Sequence, residues 1–263
     1  MMYLTAENLS VGYRSKQVLR DVSLSVDPSE IAVIIGPNGS GKSTLLTALS
    51  GQISPAGGKV FLQGKSLASW RRRSLARNLA FLPQQPQAPG HIRVRDLVTF
   101  GRFAHRGPLS SPSARDHEAV DHALEQTGST QLADRDFGAL SGGERQRVWI
   151  SLVLAQSPRF LLMDEPTSFL DPGFQYQILD LLKSLVTQQE MGLVMVLHDV
   201  NQASLYADRV IALQDGRIAA DGSPKDVITP SLVGELFGLN VQVLSSMKTM
   251  RPFCVPACVF GAP

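Results

Sequence analysis

Gly36-Pro37-Asn38-Gly39-Ser40-Gly41-Lys42-Ser43 lies between the apolar run Ile31-Ala32-Val33-Ile34-Ile35 and the segment Thr44-Leu45-Leu46-Thr47-Ala48-Leu49. The order predicts a buried strand, a loop holding three glycines, and then a helix. Backbone N–H groups can curl around an anion in such a loop, while the positive end of the helix faces the same point. In the pattern G-x-x-x-x-G-K-[ST] the lysine reaches the β- and γ-phosphates and the hydroxyl ligates Mg²⁺. The expected ligand of Lys42 and Ser43 is therefore a nucleoside triphosphate with its metal. A glycine-rich turn with a chance lysine would require none of the flanking strand, the spacing or the helix.

The 263 residues are 43% hydrophobic, enough to bury a full core in one large or two small domains. A net charge of +2 is too small to point to nucleic acid, and Arg71-Arg72-Arg73 reads as a solvated helix face rather than a phosphate track. The only cysteines, Cys254 and Cys258, lie near the end of the chain and provide no disulfide framework, so a reducing compartment is expected. No apolar run approaches the roughly 20 residues that span a bilayer, and the N-terminus lacks a signal-peptide pattern. A membrane role is expected to come through a partner.

Residues 3–35 read as strands. Val22-Ser23-Leu24-Ser25-Val26 alternates as a half-buried strand should, and the first segments are expected to form an antiparallel layer. Tyr13 falls in the turn Gly12-Tyr13-Arg14-Ser15, where an aromatic serves equally as packing or as a platform for a nucleobase. Gly51 and Gly57-Gly58 mark turns, and Val60-Phe61-Leu62 is a strand. Pro83-Gln84-Gln85-Pro86-Gln87-Ala88-Pro89-Gly90 excludes helix and central strand, leaving Gln84 on a loop where a solvated amide is the ordinary reading. Residues 91–137 are helical in pattern, with a helix start at Ser113 and Asp116, a face of Val120, Ala123, Leu124 and Thr127, and Gly128 at its end.

Leu140-Ser141-Gly142-Gly143-Glu144 opens another helix. Ser141 and Glu144 fit a capping box, which leaves Gly142 and Gly143 unexplained, since each costs about 1 kcal/mol in a helix unless something approaches the backbone closely. A second helix N-terminus open to an anion is the sharper reading. Phe160-Leu161-Leu162-Met163 is an apolar strand ending in Asp164-Glu165, whose carboxylates are expected to point to opposite sides, one toward a metal and one toward a water. A helix from Pro172 carries Ile178, Leu181, Leu182 and Leu185 on one stripe, and Leu193-Val194-Met195-Val196-Leu197 is a buried strand ending at His198. Strands at 31–35, 160–163 and 193–197 alternating with helices imply a parallel sheet, and all three deliver polar residues at the carboxyl end, where such sheets bind ligands.

On the phosphate loop, the Leu140-Ser141-Gly142-Gly143-Glu144 signature and Asp164-Glu165, the chain resembles the ATP-binding subunits of ABC transporters along most of its length. The resemblance implies an α/β P-loop NTPase with a mostly parallel core sheet, an N-terminal antiparallel β layer and a helical subdomain. It divides the chain into a RecA-like core (about 1–86 and 138–245), a helical subdomain (about 87–137) and a tail (246–263). It implies ATP and Mg²⁺ as cofactors. The nucleotide would be held by Tyr13, Gly36, Pro37, Asn38, Gly39, Ser40, Gly41, Lys42, Ser43 and Thr44, and by Ser141, Gly142, Gly143 and Asp171. Here Tyr13 is the adenine-stacking aromatic and Asp171 ends the D-loop Ser168-Phe169-Leu170-Asp171. Mg²⁺ falls to Ser43, Gln84 and Asp164. Glu165 is the general base, joined in catalysis by the switch histidine His198, the Q-loop residue Gln84 and Lys42.

Partners follow from the same resemblance. Two chains are expected to pair head to tail, so that each ATP lies between one phosphate loop and the other chain's Ser141, Gly142 and Gly143. An integral membrane permease and, indirectly, a substrate-binding protein complete the assembly, at the cytoplasmic face of the inner membrane and without nucleic acid. The stretch Val98-Thr99-Phe100-Gly101-Arg102-Phe103-Ala104-His105, residues 149–156 and Gly222-Ser223-Pro224-Lys225-Asp226-Val227 are similar to importers of ferric siderophores, haem and cobalamin. A ferric siderophore is the implied cargo, with haem or cobalamin next. The sequence departs from relatives at Ala104, often proline, and in its cysteine-containing end. A soluble, non-transport ABC ATPase is the alternative, though repair types insert long coiled coils and translation types carry two cassettes, and this chain has neither.

Overall fold

The structure is a computed structural model that describes residues 3–13, 16–107, 110–245 and 250–257. In chain order, β1 (Leu4–Tyr13) and β2 (Lys16–Val26) form a hairpin, and β3 (Ile31–Ile35) leads into α1 (Lys42–Leu49). After β4 (Gly57–Leu62), β5 (Lys65–Ser66), α2 (Arg72–Ala76) and β6 (Leu79–Leu82) come the helices α3 (Val94–Thr99), α4 (Ala114–Gln126) and α5 (Gly142–Ala155). The chain then alternates through β7 (Phe160–Asp164), α6 (Pro172–Gln189), β8 (Gly192–Val196), α7 (Val200–Tyr206) and β9 (Arg209–Gln214). It ends with β10 (Arg217–Gly222), α8 (Pro224–Val227), α9 (Pro230–Phe237), β11 (Val241–Ser245) and β12 (Pro252–Pro256).

The central sheet has the order β10-β9-β3-β8-β7-β6, parallel throughout except for the antiparallel edge strand β10. The strands β3, β7 and β8 are buried along their whole length because both faces are covered. Ala32 and Ile34 face α1 and the antiparallel sheet β2-β1-β4-β5, together with Leu45, Leu46 and Leu49. Val33 and Ile35 face the opposite core, which holds Ile178, Leu182 and Leu185 of α6 and runs on into α3, α4 and α5. The loop after β3 therefore lies at the carboxyl edge of the parallel strands.

Several expectations shift in detail. Gly57-Gly58 is no turn but the start of β4, where a Cβ on Gly58 (φ +76°) would lie 2.3 Å from the carbonyl oxygens of Glu7 and Asn8, at the irregularity in the β1–β4 ladder. Tyr13 is the last residue of β1 and pairs with Lys16, while Arg14 and Ser15 of the expected turn lie outside the described residues. The buried face of α6 includes Leu179 and Val186, while Leu181 is only half-buried. Residues 83–90 form no helix or strand, and α4 begins at the expected capping box, Asp116 N–H donating to the Ser113 hydroxyl at 3.3 Å and Ser113 N–H to the Asp116 carboxylate at 2.9 Å. At the end of the chain β12 pairs antiparallel with β11 and buries Cys254, whereas Cys258 lies outside the described residues.

Candidate functional site

The loop after β3 is shaped by contacts that only glycine permits. A Cβ on Gly36 (φ +149°) would fall 2.1 Å from the Leu213 carbonyl oxygen, and one on Gly41 (φ +105°), the N-cap of α1, 2.7 Å from Leu19 Cδ2. No side chain caps α1, so the N–H groups of its first turn stay directed at the loop. The Lys42 ammonium donates to the carbonyl oxygens of Gly36 at 2.9 Å and Pro37 at 3.0 Å, although the residue is only 6% exposed. Burial pulls its pKa below the usual lysine range, and the carboxylates of Glu165 and Asp164 work against that. Ser40 Oγ is buried with no hydrogen-bond partner among the described residues, while Asn38, Gly39 and Ser43 are exposed at the rim and Thr44 is half-buried.

Asp164 closes β7 beside this loop. The Ser43 hydroxyl lies near its carboxylate, and Oδ1 is buried without a hydrogen-bond partner among the described residues. Desolvation, reinforced by the neighbouring Glu165 charge, raises its pKa against the hydroxyl, Lys42 and His198. The pleat does not set the direction of the second carboxylate, because Glu165 adopts a left-handed φ of +52° and leaves the strand. Its Oε1 is paired with His198 Nε2, and its Oε2 accepts from the Gln84 amide and, at 2.7 Å, from the Ser168 hydroxyl. Gln84, Ser168 and His198, which lie 81, 3 and 33 positions from Glu165 in the chain, all converge on its one carboxylate.

The second expected anion site lies at the start of α5. Ser141 and Glu144 do form the capping box, Ser141 N–H donating to Glu144 Oε2 at 2.8 Å, and these bonds hold the Glu144 carboxyl below its ordinary pKa. Gly143 has an internal reason as well, since a Cβ there would come within 2.7 Å of the Phe174 ring on α6. Gly142 has none of that kind, its nearest such neighbour being Leu170 Cδ2 at 3.7 Å. Among the described residues no hydrogen bond or ion pair joins Ser141, Gly142 or Gly143 to the loop at Gly36. Asp171 caps α6 through its backbone position alone and is exposed, and Tyr13 stands half-exposed at the end of β1.

A hollow of about 90 Å³ is lined by Glu165 and His198 together with Thr167, Ser168, Gln175 and Gln202. Its size and lining suit ordered water. The Gln202 amide donates to Gln175 Oε1 at 2.6 Å, a pairing that sequence reasoning missed because neither glutamine carries a pattern of its own. Among the described residues no cluster of three or more His, Cys, Asp and Glu could hold a metal by itself. A hydroxyl, one buried carboxylate with an idle oxygen and a set of phosphate-facing N–H groups fit Mg²⁺ bound together with a nucleotide, since that ion takes one or two carboxylates and completes its shell with phosphate oxygens and water.

The chain matches the ABC transporter family model over residues 19–168. It is 41% identical to a hemin import ATP-binding protein of Bordetella bronchiseptica, over 93% of this chain and 95% of the relative. It is 40% identical to the ferric enterobactin transport ATP-binding protein of Escherichia coli, over 96% of this chain and 93% of that one. Among solved structures it superposes with TM-score 0.73 and 27% identity on a dimeric ATP-binding cassette in a post-hydrolysis state bound to ADP and phosphate, covering 84% of this chain and 98% of the other.

Proposed function

The chain belongs to the ABC transporter family, and from that membership we propose that it is the ATP-hydrolysing subunit powering import of an iron chelate through a membrane permease, with a ferric siderophore as cargo before haem or cobalamin. The observation that carries the chemistry is the meeting of Lys42, Ser43, Asp164, Glu165 and His198 where β3, β7 and β8 end. Glu165 is the general base: its carboxylate is only 10% exposed, and Gln84, Ser168 and His198 orient it to take a proton from the attacking water. Lys42 and the N–H groups of α1 hold the phosphates, and Ser43 and Asp164, with Gln84 alongside, hold Mg²⁺. When bound, that ion supplies the positive charge that offsets charge developing on the phosphoryl oxygens. His198 contacts the γ-phosphate, and Tyr13 stacks on the base.

Two such chains pair head to tail in this reading, so that Ser141, Gly142 and Gly143 of one protomer face the ATP of the other; the dimeric relative and the unexplained Gly142 support it. The division into a core of about 1–86 and 138–245, an insert of about 87–137 and a tail of 246–263 belongs to the same reading, with α5 packed against both α3 and α4. The insert carries the permease-facing surface. Phe100 and Phe103 are 54% and 66% exposed, and with Arg72, Arg73, Ala76 and Gln156 they line a hollow of about 300 Å³. Between them Arg102 turns inward, which leaves the aromatic pair outward as a seat for an apolar helix. Seating there puts the subunit on the cytoplasmic face of the inner membrane, where a substrate-binding protein acts on it only through the permease.

A strain lacking this gene is expected to stop growing when a ferric siderophore is its sole iron source and to recover with abundant inorganic iron. Normal accumulation of every labelled siderophore alongside lost uptake of haem or cobalamin would reassign the cargo. Unchanged uptake of all three would remove the chain from iron-chelate import.

A further inference from the structure

The C-terminal hairpin is the part of the chain that the proposed function leaves unused. Two strands alone are marginal in water, so β11 and β12 depend on what they touch. Val241, Pro252 and Cys254 are buried, whereas Leu244 and Phe253, opposite each other in the register, face outward. On the buried side the Asn201 amide Nδ2 donates to the Cys254 carbonyl at 3.1 Å, and Asn201 Oδ1 accepts the Cys254 N–H at 2.7 Å. Both main-chain groups of Cys254 therefore turn away from β11, which makes Val243 and Cys254 a non-hydrogen-bonded pair of the ladder. The asparagine side chain takes the place of a third strand. One turn further on, the buried Ser204 hydroxyl donates to the Pro252 carbonyl.

Asn201 is the second residue of α7 and lies three positions after His198. The Asp199 carboxylate caps the N–H groups of Asn201 at 2.7 Å and Gln202 at 3.1 Å. Gln202 is tied to Gln175 on α6, and Gln175 donates to the Leu170 carbonyl at 2.9 Å. The first turn of α7 is thus gripped by α6 on one side and by β12 on the other, with His198 leading directly into it. We propose that Asn201 is a positioning residue: by fastening β12 to the first turn of α7, it fixes the direction from which His198 meets Glu165. This rests on the role given above to His198.

The test is steady-state ATP hydrolysis by the full chain carrying Asn201→Leu, which keeps the volume and loses both hydrogen bonds, and Asn201→Asp, which keeps the acceptor for the Cys254 N–H. Because small misplacements of a reacting group are expensive in rate, kcat should fall about tenfold in Asn201→Leu and less in Asn201→Asp, with KM for ATP changed by less than about twofold. On a His198→Ala background Asn201→Leu should add nothing, since both act through one group. A kcat within about twofold of the parent, in a protein whose His198→Ala variant has lost turnover, would overturn the proposal, as would independent losses that multiply in the double variant. A fall in kcat accompanied by a matching rise in KM and an earlier melt would make the clamp merely structural. Should Asn201→Leu fail to fold, Asn201→Asp and Ser204→Ala carry the same comparison. Full turnover in His198→Ala itself would refute the site reading first and this inference with it.

Discussion

Asp164 and Asp116 are both buried carboxylates, and their surroundings push them in opposite directions. Around Asp116 every need is met: Ser113 donates its N–H at 2.9 Å and its hydroxyl at 2.7 Å, and Arg102 Nε donates at 3.0 Å. Arg102 spends its remaining reach on the Ala155 carbonyl at 2.6 Å and Ser157 Oγ at 3.4 Å, which bolts the end of α5 to the segment carrying Phe100 and Phe103. Desolvation would raise the Asp116 pKa, but the Ser113 and Arg102 bonds outweigh it and hold it at about 2. At Asp164 desolvation prevails, and one oxygen has no hydrogen-bond partner among the described residues. A buried charge with its partners complete is a fastening, whereas one left short beside a phosphate loop is a place where a ligand completes the set.

The sharpest break would come at the carboxyl edge of the sheet. Glu165→Gln should leave ATP binding intact and lower turnover about 10²- to 10⁴-fold, because an amide cannot accept the proton of the attacking water. Phosphate release measured beside nucleotide binding checks this, and turnover within a few-fold of the parent would remove Glu165 from the role.

The fastening should show itself in stability instead. Arg102→Met strands Asp116 in the interior and should cost about 3–5 kcal/mol in urea unfolding. The pH dependence follows from the sign of the shift. Asp116 titrates near 2 in the folded chain against an ordinary 3.8, so its contribution is fully present above 3.8 and is lost as pH falls toward about 2. That part of the acid sensitivity should disappear in Asp116→Asn. An equally steep loss between those values in the variant would assign the acid sensitivity to other carboxylates.

What the sequence reveals of these two regions differs for a physical reason. The strand, glycine loop and helix from Ile31 to Leu49 are written in consecutive residues, as are the capping boxes at Ser113 and Ser141, because their bonds close within a few positions. Strand ends also report where the ligand goes, which is how Asp164 and His198 could be placed at one edge from their positions alone. Other features are long-range. Gly58 is a glycine because the carbonyls of Glu7 and Asn8 pass close by, Gly143 because Phe174 lies against it, and Asn201 meets Cys254 across 53 positions. Neither the Gln175–Gln202 pair nor the Arg102–Asp116 pair has a local signature, and each exists only once helices pack.

The smallest effect tests the contrast most directly. Urea unfolding of the nucleotide-free chain should find Asp164→Asn more stable than the parent by about 1 kcal/mol, since a neutral amide is less costly to bury than a carboxylate with an idle oxygen. Asp116→Asn, measured alongside, should be less stable, because it leaves the Arg102 guanidinium buried without its anion. Opposite signs are the result this account requires. A loss of stability at both positions would mean that Asp164 is as much a fastening as Asp116, and that the carboxyl edge of the sheet is not held short of a partner.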